Sequence, residues 1–168
     1  MKESYEFHPI GVIHSPLKEP SGAPIQGAYA KNIEAQVEIF EPYREGLADL
    51  DGFSHAIMLY VFDRSEGYKL KVKPYLDNEL RGLFATRAPK RPNNIGLTVV
   101  RILEVSERGL KIAGVDMLDG TPLLDIKPYV ALFDERDNAS FGWLEKHLNA
   151  QKEGSEMPPR ADGRFHEK

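Results

Sequence analysis

The 168-residue sequence contains no cysteine. This absence excludes disulfides, cysteine-based zinc sites, iron–sulfur clusters and thiol nucleophiles as sources of stability or chemistry. A chain of this length buries about 70% of its unfolded surface, so it needs no such cross-link to fold. Because domains usually contain roughly 100–200 residues, we expect a single folded domain.

Other common signatures are also missing. No apolar run approaches the roughly 18 residues of a membrane span, and no charged-then-apolar leader follows Met1. We therefore expect a soluble, cytoplasmic protein with no membrane partner. The histidines show no metal-ligand spacing, so we expect no metal. Phosphate-binding, dinucleotide-binding and serine-hydrolase motifs (P-loop, G-x-G-x-x-G, G-x-S-x-G) do not occur.

Charge is unevenly distributed along the chain. The formal net charge is −4, which at first sight argues against a nucleic-acid partner. Residues 64–91 nevertheless contain eight basic and three acidic side chains, a net of +5. This segment is either an anion-facing patch or a solvated, lysine-rich loop and strand, and charge alone favours the second interpretation.

Short apolar stretches predict a mainly β fold. Glu34–Phe40 alternates apolar and polar residues, His55–Phe62 is an unbroken apolar run of strand length, and Leu97–Val105 with Leu110–Val115 forms a predicted hairpin. Many short strands separated by turn signals indicate a mainly antiparallel, barrel-like β domain. Further predicted elements are strands at Tyr5–Ile13, Leu70–Val72, Gly82–Ala85 and Ile126–Leu132, and a short helical turn at Pro42–Leu50.

One C-terminal helix is predicted at Ser140–Asn149, with Ser140 as its N-cap and an apolar face. Residues 151–168 are rich in glycine and proline and predict a disordered or partner-dependent tail. We divide the chain into a β domain over residues 1–138 and a helix with an extended tail over residues 139–168.

The loop Thr86–Gly96 reads T-R-A-P-K-R-P-N-N-I-G. Its two prolines fix φ and stiffen the chain, which would aim Arg87 and Arg91. A guanidinium group binds carboxylate or phosphate through two parallel hydrogen bonds. The alternative is a proline-rich turn with incidental arginines. We favour the functional interpretation slightly, since a plain turn would be served by flexible polar residues.

Two further segments are candidates for a site. Asp125 and Lys127 flank Ile126, so in a strand they lie on the same face. They form either a surface ion pair or a polar pair at a site. The proline-rich loop Ser15–Gly27 ends at Gly27, whose missing Cβ would let the backbone approach a ligand closely. A flexible surface loop is an equally good interpretation. His55, at the start of an apolar strand, is more often a structural group than a base.

Four strings in this order resemble the TsaA/TrmO family. They are G-V-I-H-S-P-L-K-E (Gly11–Glu19), L-D-G-F-S-H (Leu50–His55), F-A-T-R-A-P-K-R-P-N-N-I-G (Phe84–Gly96) and D-G-T-P-L-L-D-I-K-P-Y (Asp119–Tyr129). The resemblance spans about Tyr5 to Phe133. It implies a small single-sheet β-barrel that binds S-adenosylmethionine and works as a homodimer, with its site near the subunit interface. It also implies methylation of N6 of threonylcarbamoyl-adenosine beside the anticodon of a tRNA.

The resemblance also implies residue roles. Arg91, Asn93 and Lys127 would face the substrate. Asp119, Asp125 and His55 are candidate bases, and the sequence does not choose among them. The cofactor side would comprise Gln26, Gly27, Ala28, Phe62, Asp63, Arg87, Leu97, Leu124 and Asp125.

Two alternatives remain open at the sequence level. Characterised bacterial members of the family carry a further C-terminal domain, whereas here a helix and short tail follow the barrel. This difference motivates a methyltransferase with a small-molecule or protein substrate. The absence of an unambiguous base motivates a non-catalytic module that binds S-adenosylmethionine or RNA.

Overall fold

Eight strands and a few short helices make up the computed structural model, which describes residues 3–147 and residue 161. The strands are β1 (Gly11–His14), β2 (Glu34–Ile39), β3 (His55–Val61), β4 (Lys71–Val72), β5 (Arg81–Gly82), β6 (Ile95–Ser106), β7 (Gly109–Ala113) and β8 (Thr121–Pro128). An α-helical turn, α1, covers Ala131–Asp134. The 3₁₀ helices cover Gly27–Tyr29, Glu41–Leu47, Leu50–Gly52, Leu83–Ala85 and Gly142–Leu144.

Six of these strands close a barrel in the order β1-β2-β7-β6-β3-β8, and every neighbouring pair is antiparallel. Strands β4 and β5 form a separate two-stranded sheet. The predicted single-sheet β-barrel is therefore confirmed. Closure leaves the six-stranded sheet with no edge strand, which removes the hazard of edge-to-edge pairing.

Alternation along the strands decides what fills the barrel. In β2 every second residue is buried, as the sequence predicts. In β3 the inward residues are Ala56, Met58 and Tyr60, while the outward residues after His55 are also apolar and only half-buried. The barrel interior is packed with apolar side chains, among them Ile13, Val37, Ile39, Met58, Val100, Leu110, Ile112 and Leu123. Burial of these side chains from all six strands supplies the main driving force for closure.

The structure corrects three predicted strands. Of the strand predicted at Gly82–Ala85 only Gly82 lies in a strand, β5, and Leu83–Ala85 form a 3₁₀ turn. The first strand begins at Gly11 rather than Tyr5, because Pro9 has no N–H to donate to a ladder. The last strand was predicted at Ile126–Leu132, but β8 starts at Thr121 and ends at Pro128. The chain then turns into α1, where the Asp134 carboxylate accepts the Val130 N–H at 2.8 Å.

The predicted C-terminal helix differs at its start. A 3₁₀ turn begins at Gly142, not after Ser140, and residues 145–147 continue it as α-helix. Gly142 has a φ of 54°, a left-handed conformation that cannot belong to a regular right-handed helix. Residues 148–149 of that prediction, and residues 151–168 except residue 161, lie outside the described residues. The division at residue 138 remains a prediction.

Candidate functional site

The N-terminal half of β6 has an unusual neighbour. Strand β7 pairs with β6 only from Arg101 to Ser106, so a different segment covers Ile95–Val100 on that side. The 3₁₀ turn Gly27–Tyr29 fills this place. A Cβ on Gly27 would lie 2.4 Å from the carbonyl oxygen of Gly114 and 2.6 Å from Cγ2 of Thr98. Gly27 therefore allows this turn to pack directly on the barrel. The close approach to a ligand that the sequence suggested for Gly27 stays a prediction.

A hydrogen bond joins this turn to the cationic loop. Arg87 Nη1 donates to Gln26 Oε1 at 2.7 Å. The two loops are 61 residues apart in sequence, and the structure brings them together at the N-terminal half of β6. Arg87 is exposed, so its guanidinium group has further donors directed to solvent.

Beneath the turn lies a buried polar network that sequence reasoning missed. Thr98 Oγ1 donates to Asp116 Oδ1 at 2.7 Å, and the Tyr60 hydroxyl lies 3.1 Å from Thr98 Oγ1. The Asp116 carboxylate also accepts the backbone N–H of Gly27. Burial raises the pKa of Asp116, against the lowering effect of these donors and of Arg87. Burial likewise raises the pKa of the Tyr60 hydroxyl.

Arg91 makes hydrogen bonds within its own loop, Thr86–Gly96. Its Nη1 donates to the carbonyl oxygen of Thr86 at 3.0 Å, and its guanidinium carbon lies 6.0 Å from the centre of the Phe84 ring. Asn94, which the sequence analysis did not single out, accepts the Arg91 N–H and donates to the carbonyl oxygen of Ser65 at 2.6 Å. Asn93 is exposed beside them. The two arginines thus differ, since only Arg87 reaches the Gln26 loop.

On the outer barrel wall, strand register places Leu97 of β6 opposite Leu59 of β3, and Leu59 opposite Asp125 of β8. Leu97 is 47% exposed. Leu124 lies at a register irregularity next to Asp125, and Lys127 Nζ is 2.7 Å from Asp125 Oδ2. The wall therefore presents an apolar row that ends in a carboxylate.

Phe62 and Asp63 follow the end of β3. Phe62 is half-buried against the core, with its ring edge-on to Tyr60 at a centroid distance of 5.3 Å. Its backbone N–H donates to the carbonyl oxygen of Asn94, which ties it to the cationic loop. Asp63 is exposed. Both residues lie at the Ile95 end of β6, since Val61 pairs with Ile95.

The other two candidate bases lie in different surroundings. Asp119 accepts from Lys18 Nζ at 2.7 Å and from the Ser15 N–H at 3.1 Å. The hydrogen bond from Lys18 holds the pKa of Asp119 below its usual range. His55 pairs with Arg101, four residues or about 13 Å along the strand from the Leu59–Leu97 pair. The Nδ1 of His55 lies 2.9 Å from the hydroxyl of Ser54.

Some side chains of the basic segment, residues 64–91, make contacts within the protein. Arg81 pairs with Asp77 and Glu79, and Arg64 donates to two backbone carbonyl oxygens. Exposed lysines on and around the β4–β5 sheet remain directed to solvent, namely Lys69, Lys71 and Lys73. Arg87 belongs to the same segment, so these lysines and the candidate site are joined by a short stretch of chain.

Neither a metal cluster nor a membrane span is seen in the described part of the chain. There, no group of three or more histidine, aspartate or glutamate side chains is placed to hold a metal ion. Within residues 3–147 and 161, no helix is long and apolar enough to cross a membrane. A cavity of about 330 Å³ opens beside β8 and includes Asp125 among its lining residues, but not Gln26, Arg87 or Leu97. This cavity therefore does not unite the cofactor-side candidates.

A closed six-stranded antiparallel barrel, with a glycine turn and a rigid cationic loop on its wall, defines the class of protein. The sequence profile described as the tRNA-methyltransferase O N-terminal domain matches residues 12–135. The chain therefore belongs to the tRNA-methyltransferase O (TrmO) family, as its motifs predict. It is 52% identical over 159 residues to a "Probable S-adenosyl-L-methionine-binding protein" of Pyrococcus abyssi, covering 95% of this chain and 84% of the relative.

Two further relatives are longer than the matched part. The tRNA (adenine(37)-N6)-methyltransferase of Escherichia coli strain K12 is 36% identical over 152 residues, which cover 84% of this chain and 65% of that protein. The crystal structure of TrmO from Pseudomonas aeruginosa superposes with a TM-score of 0.71 at 35% identity, covering 83% of this chain and 62% of that one. The chain thus spans slightly under two thirds of these two proteins.

Proposed function

We propose that the protein is an S-adenosylmethionine-dependent tRNA methyltransferase acting on N6 of adenosine 37. The more specific substrate is threonylcarbamoyl-adenosine next to the anticodon. Membership of the TrmO family supports the reaction class, together with the similarity to a named tRNA (adenine(37)-N6)-methyltransferase. The structural observation that carries the proposal is the Arg87–Gln26 hydrogen bond, because it unites the cationic loop with the glycine turn at one place on the barrel wall.

The side chains at this place suit S-adenosylmethionine. Leu97 offers an apolar surface for adenine, and Arg87 offers a cation for the methionine carboxylate. The closely packed Gly27 turn offers backbone groups at short range. When bound, the cofactor would supply an electrophilic methyl group, which the substrate nitrogen attacks in line while the thioether sulfur leaves. Gln26, Ala28, Phe62, Asp63 and Leu124 complete the proposed cofactor side. Their task is positioning, which supplies a large share of the rate in such reactions.

Asp125 is the proposed base. A carbamoylated N6–H is a weak nucleophile, so its proton must pass to an acceptor as the methyl group arrives. Asp125 is the candidate that strand register aligns with Leu59 and Leu97. Lys127 pairs with its Oδ2 and would help orient it or the substrate. Asp119 precedes β8, outside this row, and His55 lies along the wall from it, so both are weaker candidates.

The exposed lysines are proposed to contact RNA phosphates. Lys69, Lys71 and Lys73 would orient the tRNA without reading its sequence, while Arg91 and Asn93 border the reacting base. We further propose that the enzyme is a cytoplasmic homodimer that needs no metal. Support for a dimer comes from the apolar outer wall, where Ile95, Leu97 and Val99 are 42%, 47% and 39% exposed. A second copy on this wall would enclose the open cofactor side.

Transfer of labelled methyl from S-adenosylmethionine to bulk tRNA, from cells lacking this protein, tests the function. We expect label in a modified adenosine, and we expect Arg87→Ala to abolish transfer while circular dichroism shows an intact fold. Arg108→Ala is the matched control, because Arg108 is an exposed arginine at the distant β6–β7 turn. It should retain activity.

The same experiment separates the alternatives. Binding to tRNA that weakens steeply with salt favours the RNA substrate, because phosphate contacts release counterions. Cofactor binding with transfer to a small molecule or protein, and none to tRNA, would contradict it. Tight cofactor binding without transfer to any acceptor would indicate the non-catalytic module, an option that the name of the Pyrococcus abyssi relative favours.

A further inference from the structure

The hydrogen bonds of the network under the Gly27 turn all donate in one direction, from Tyr60 to Thr98 and from Thr98 to Asp116. The single proton of the Thr98 hydroxyl is donated to Asp116 Oδ1 at 2.7 Å. The Tyr60 hydroxyl, 3.1 Å from Thr98 Oγ1, must therefore donate its own proton to Thr98. A chain of two hydroxyl groups thus ends on one carboxylate, and it links β3, β6 and the segment that precedes β8.

The carboxylate at the end of this chain acts on the turn. It accepts the backbone N–H of Gly27, while the Gly27 backbone is packed against Gly114 and Thr98. Gln26, the preceding residue, accepts from Arg87. A shift of Asp116 would therefore move Gly27, and with it the Gln26–Arg87 contact on the surface.

The Asp116 carboxyl group is half-buried and accepts from the buried hydroxyl group of Thr98. Withdrawing a carboxylate from water is unfavourable unless hydrogen bonds compensate, and apolar side chains would fill the same space without that cost. The hydroxyl groups of Tyr60 and Thr98 lead to this carboxylate, and the carboxylate accepts the Gly27 N–H of the turn. Fully satisfied buried networks of this kind fix one geometry among several possible ones.

We propose that Asp116 is a positioning residue that holds the Gln26–Tyr29 segment in the geometry that binds S-adenosylmethionine, with Thr98 and Tyr60 fixing the orientation of its carboxylate. This role rests on the proposed function for the identity of the cofactor. It assigns no contact between Asp116 and the cofactor. The network is connected to the surface through Gln26, which precedes the turn and accepts from Arg87.

Thr98→Val is the first variant, because it removes the hydroxyl group and keeps the shape of the side chain. Asp116→Asn is the second, and Thr98→Ser should restore the wild-type behaviour. Thr121→Val is the matched control. Thr121 is also 5% exposed on a barrel strand, but its hydroxyl donates to the carbonyl oxygen of Leu118, away from the turn.

Two readouts are independent of activity. In protein without cofactor, amide hydrogen exchange should show at least tenfold lower protection of the Gly27 N–H in Thr98→Val and Asp116→Asn. By calorimetry, their dissociation constants for S-adenosylmethionine should rise at least about tenfold, which corresponds to one lost buried hydrogen bond. Thr121→Val should lower the melting temperature comparably and leave both readouts within about twofold of the wild type.

Unchanged exchange at Gly27 and unchanged cofactor affinity in Thr98→Val would overturn the positioning role. Equal weakening by Thr121→Val would also overturn it, because the effect would then be a general loosening of the barrel. A wild-type protein that binds S-adenosylmethionine but methylates no tRNA contradicts the proposed substrate only. Failure of this inference and failure of the proposed function are thus read from different measurements.

Discussion

Gly27 is a residue of the candidate site at which a turn packs closely on the barrel. A side-chain carbon there would lie 2.4 Å from a backbone oxygen of Gly114 and 2.6 Å from a methyl group of Thr98. Contacts this short require the turn to move, because the strands on which it packs are fixed by their ladders. The identity of this one residue therefore sets how closely the turn approaches β6.

We expect Gly27→Ala to fold but to bind S-adenosylmethionine at least about tenfold more weakly, since overpacking costs about 1–3 kcal/mol and displaces the turn. Isothermal titration and thermal unfolding measure the two effects. Gly52→Ala is the control, because a Cβ on Gly52 meets nothing within 4 Å. Wild-type affinity in Gly27→Ala would show that the turn is not part of the cofactor site.

At the scale of elements, the proline loop Ser15–Gly27 is fastened at both ends. At its start, Ser15 Oγ donates to the carbonyl oxygen of Met117 at 2.7 Å, and the Asp119 carboxylate accepts from Ser15 and Lys18. At its end, Gly27 packs on Gly114. The backbone of Ala161 also exchanges hydrogen bonds with Gly22 and Ala23. These contacts attach the loop to the barrel at both ends and favour a loop with a fixed course over a flexible surface loop.

The contacts of the Asp119 carboxylate with Lys18 and Ser15, which we call the Asp119 clamp, predict that stability depends on pH. The pKa of Asp119 is lowered in the folded state, so its contribution is fully present above the unfolded value of about 3.9 and is lost as the pH falls through the folded pKa. Asp119→Asn should therefore lower the free energy of unfolding near neutral pH, and the difference from wild type should disappear in acid below the folded pKa.

Urea unfolding across this pH range measures the effect of Asp119→Asn. The exposed carboxylate of Asp137 provides the control variant Asp137→Asn, whose difference from wild type should be small throughout. A constant difference for Asp119→Asn at every pH would contradict the electrostatic clamp and leave only loss of neutral hydrogen bonding as its effect.

A second element contact fixes the C-terminal segment. The Trp143 indole N–H donates to the carbonyl oxygen of Ala85 at 2.8 Å, and the Arg81 guanidinium carbon lies 5.6 Å from the centre of the indole ring. His147 approaches Asp77 at 3.7 Å. The segment that follows the barrel is thus packed on the β4–β5 sheet, next to the cationic loop.

At the scale of the whole molecule, the outward face of β3 and β6 carries an exposed apolar surface. Register aligns Ile57 with Val99, Leu59 with Leu97 and Val61 with Ile95, which makes one continuous apolar patch. Contiguous apolar patches of this kind usually mark association sites. In the proposed homodimer this patch forms the subunit contact and the neighbouring Asp125 lies at its border.

Val99→Glu should therefore convert the proposed dimer to a monomer, because a buried unpaired carboxylate at an interface is strongly unfavourable. Sedimentation velocity measures the change. Leu132→Glu is the control, since Leu132 is 86% exposed on α1, outside this face. A Val99→Glu protein with the same mass in solution as the wild type would contradict the proposed interface.

The sequence by itself determined the barrel class and the family. Alternation in β2, the apolar run of β3 and the β6–β7 hairpin depend on local periodicity, so they are readable in one dimension. The boundary errors at the first strand, at the end of the last strand and at Ser140 arose next to Pro9, Pro128 and the left-handed Gly142. The start of the last strand was missed for another reason: Thr121–Asp125 belong to β8, despite Pro122 among them, because they pair with β1 and β3. The motifs of the cationic loop and the D-G-T-P segment were sufficient to identify the family.

Only the tertiary structure decided which polar groups work together. Asp116 and Asp119 stand three residues apart in one segment, yet the first is half-buried and bonds the Gly27 turn, whereas the second pairs with Lys18. Likewise Arg87 reaches Gln26, whereas Arg91 bonds within its own loop. Sequence spacing cannot separate such pairs, because burial and partner choice depend on how distant strands meet when the barrel closes.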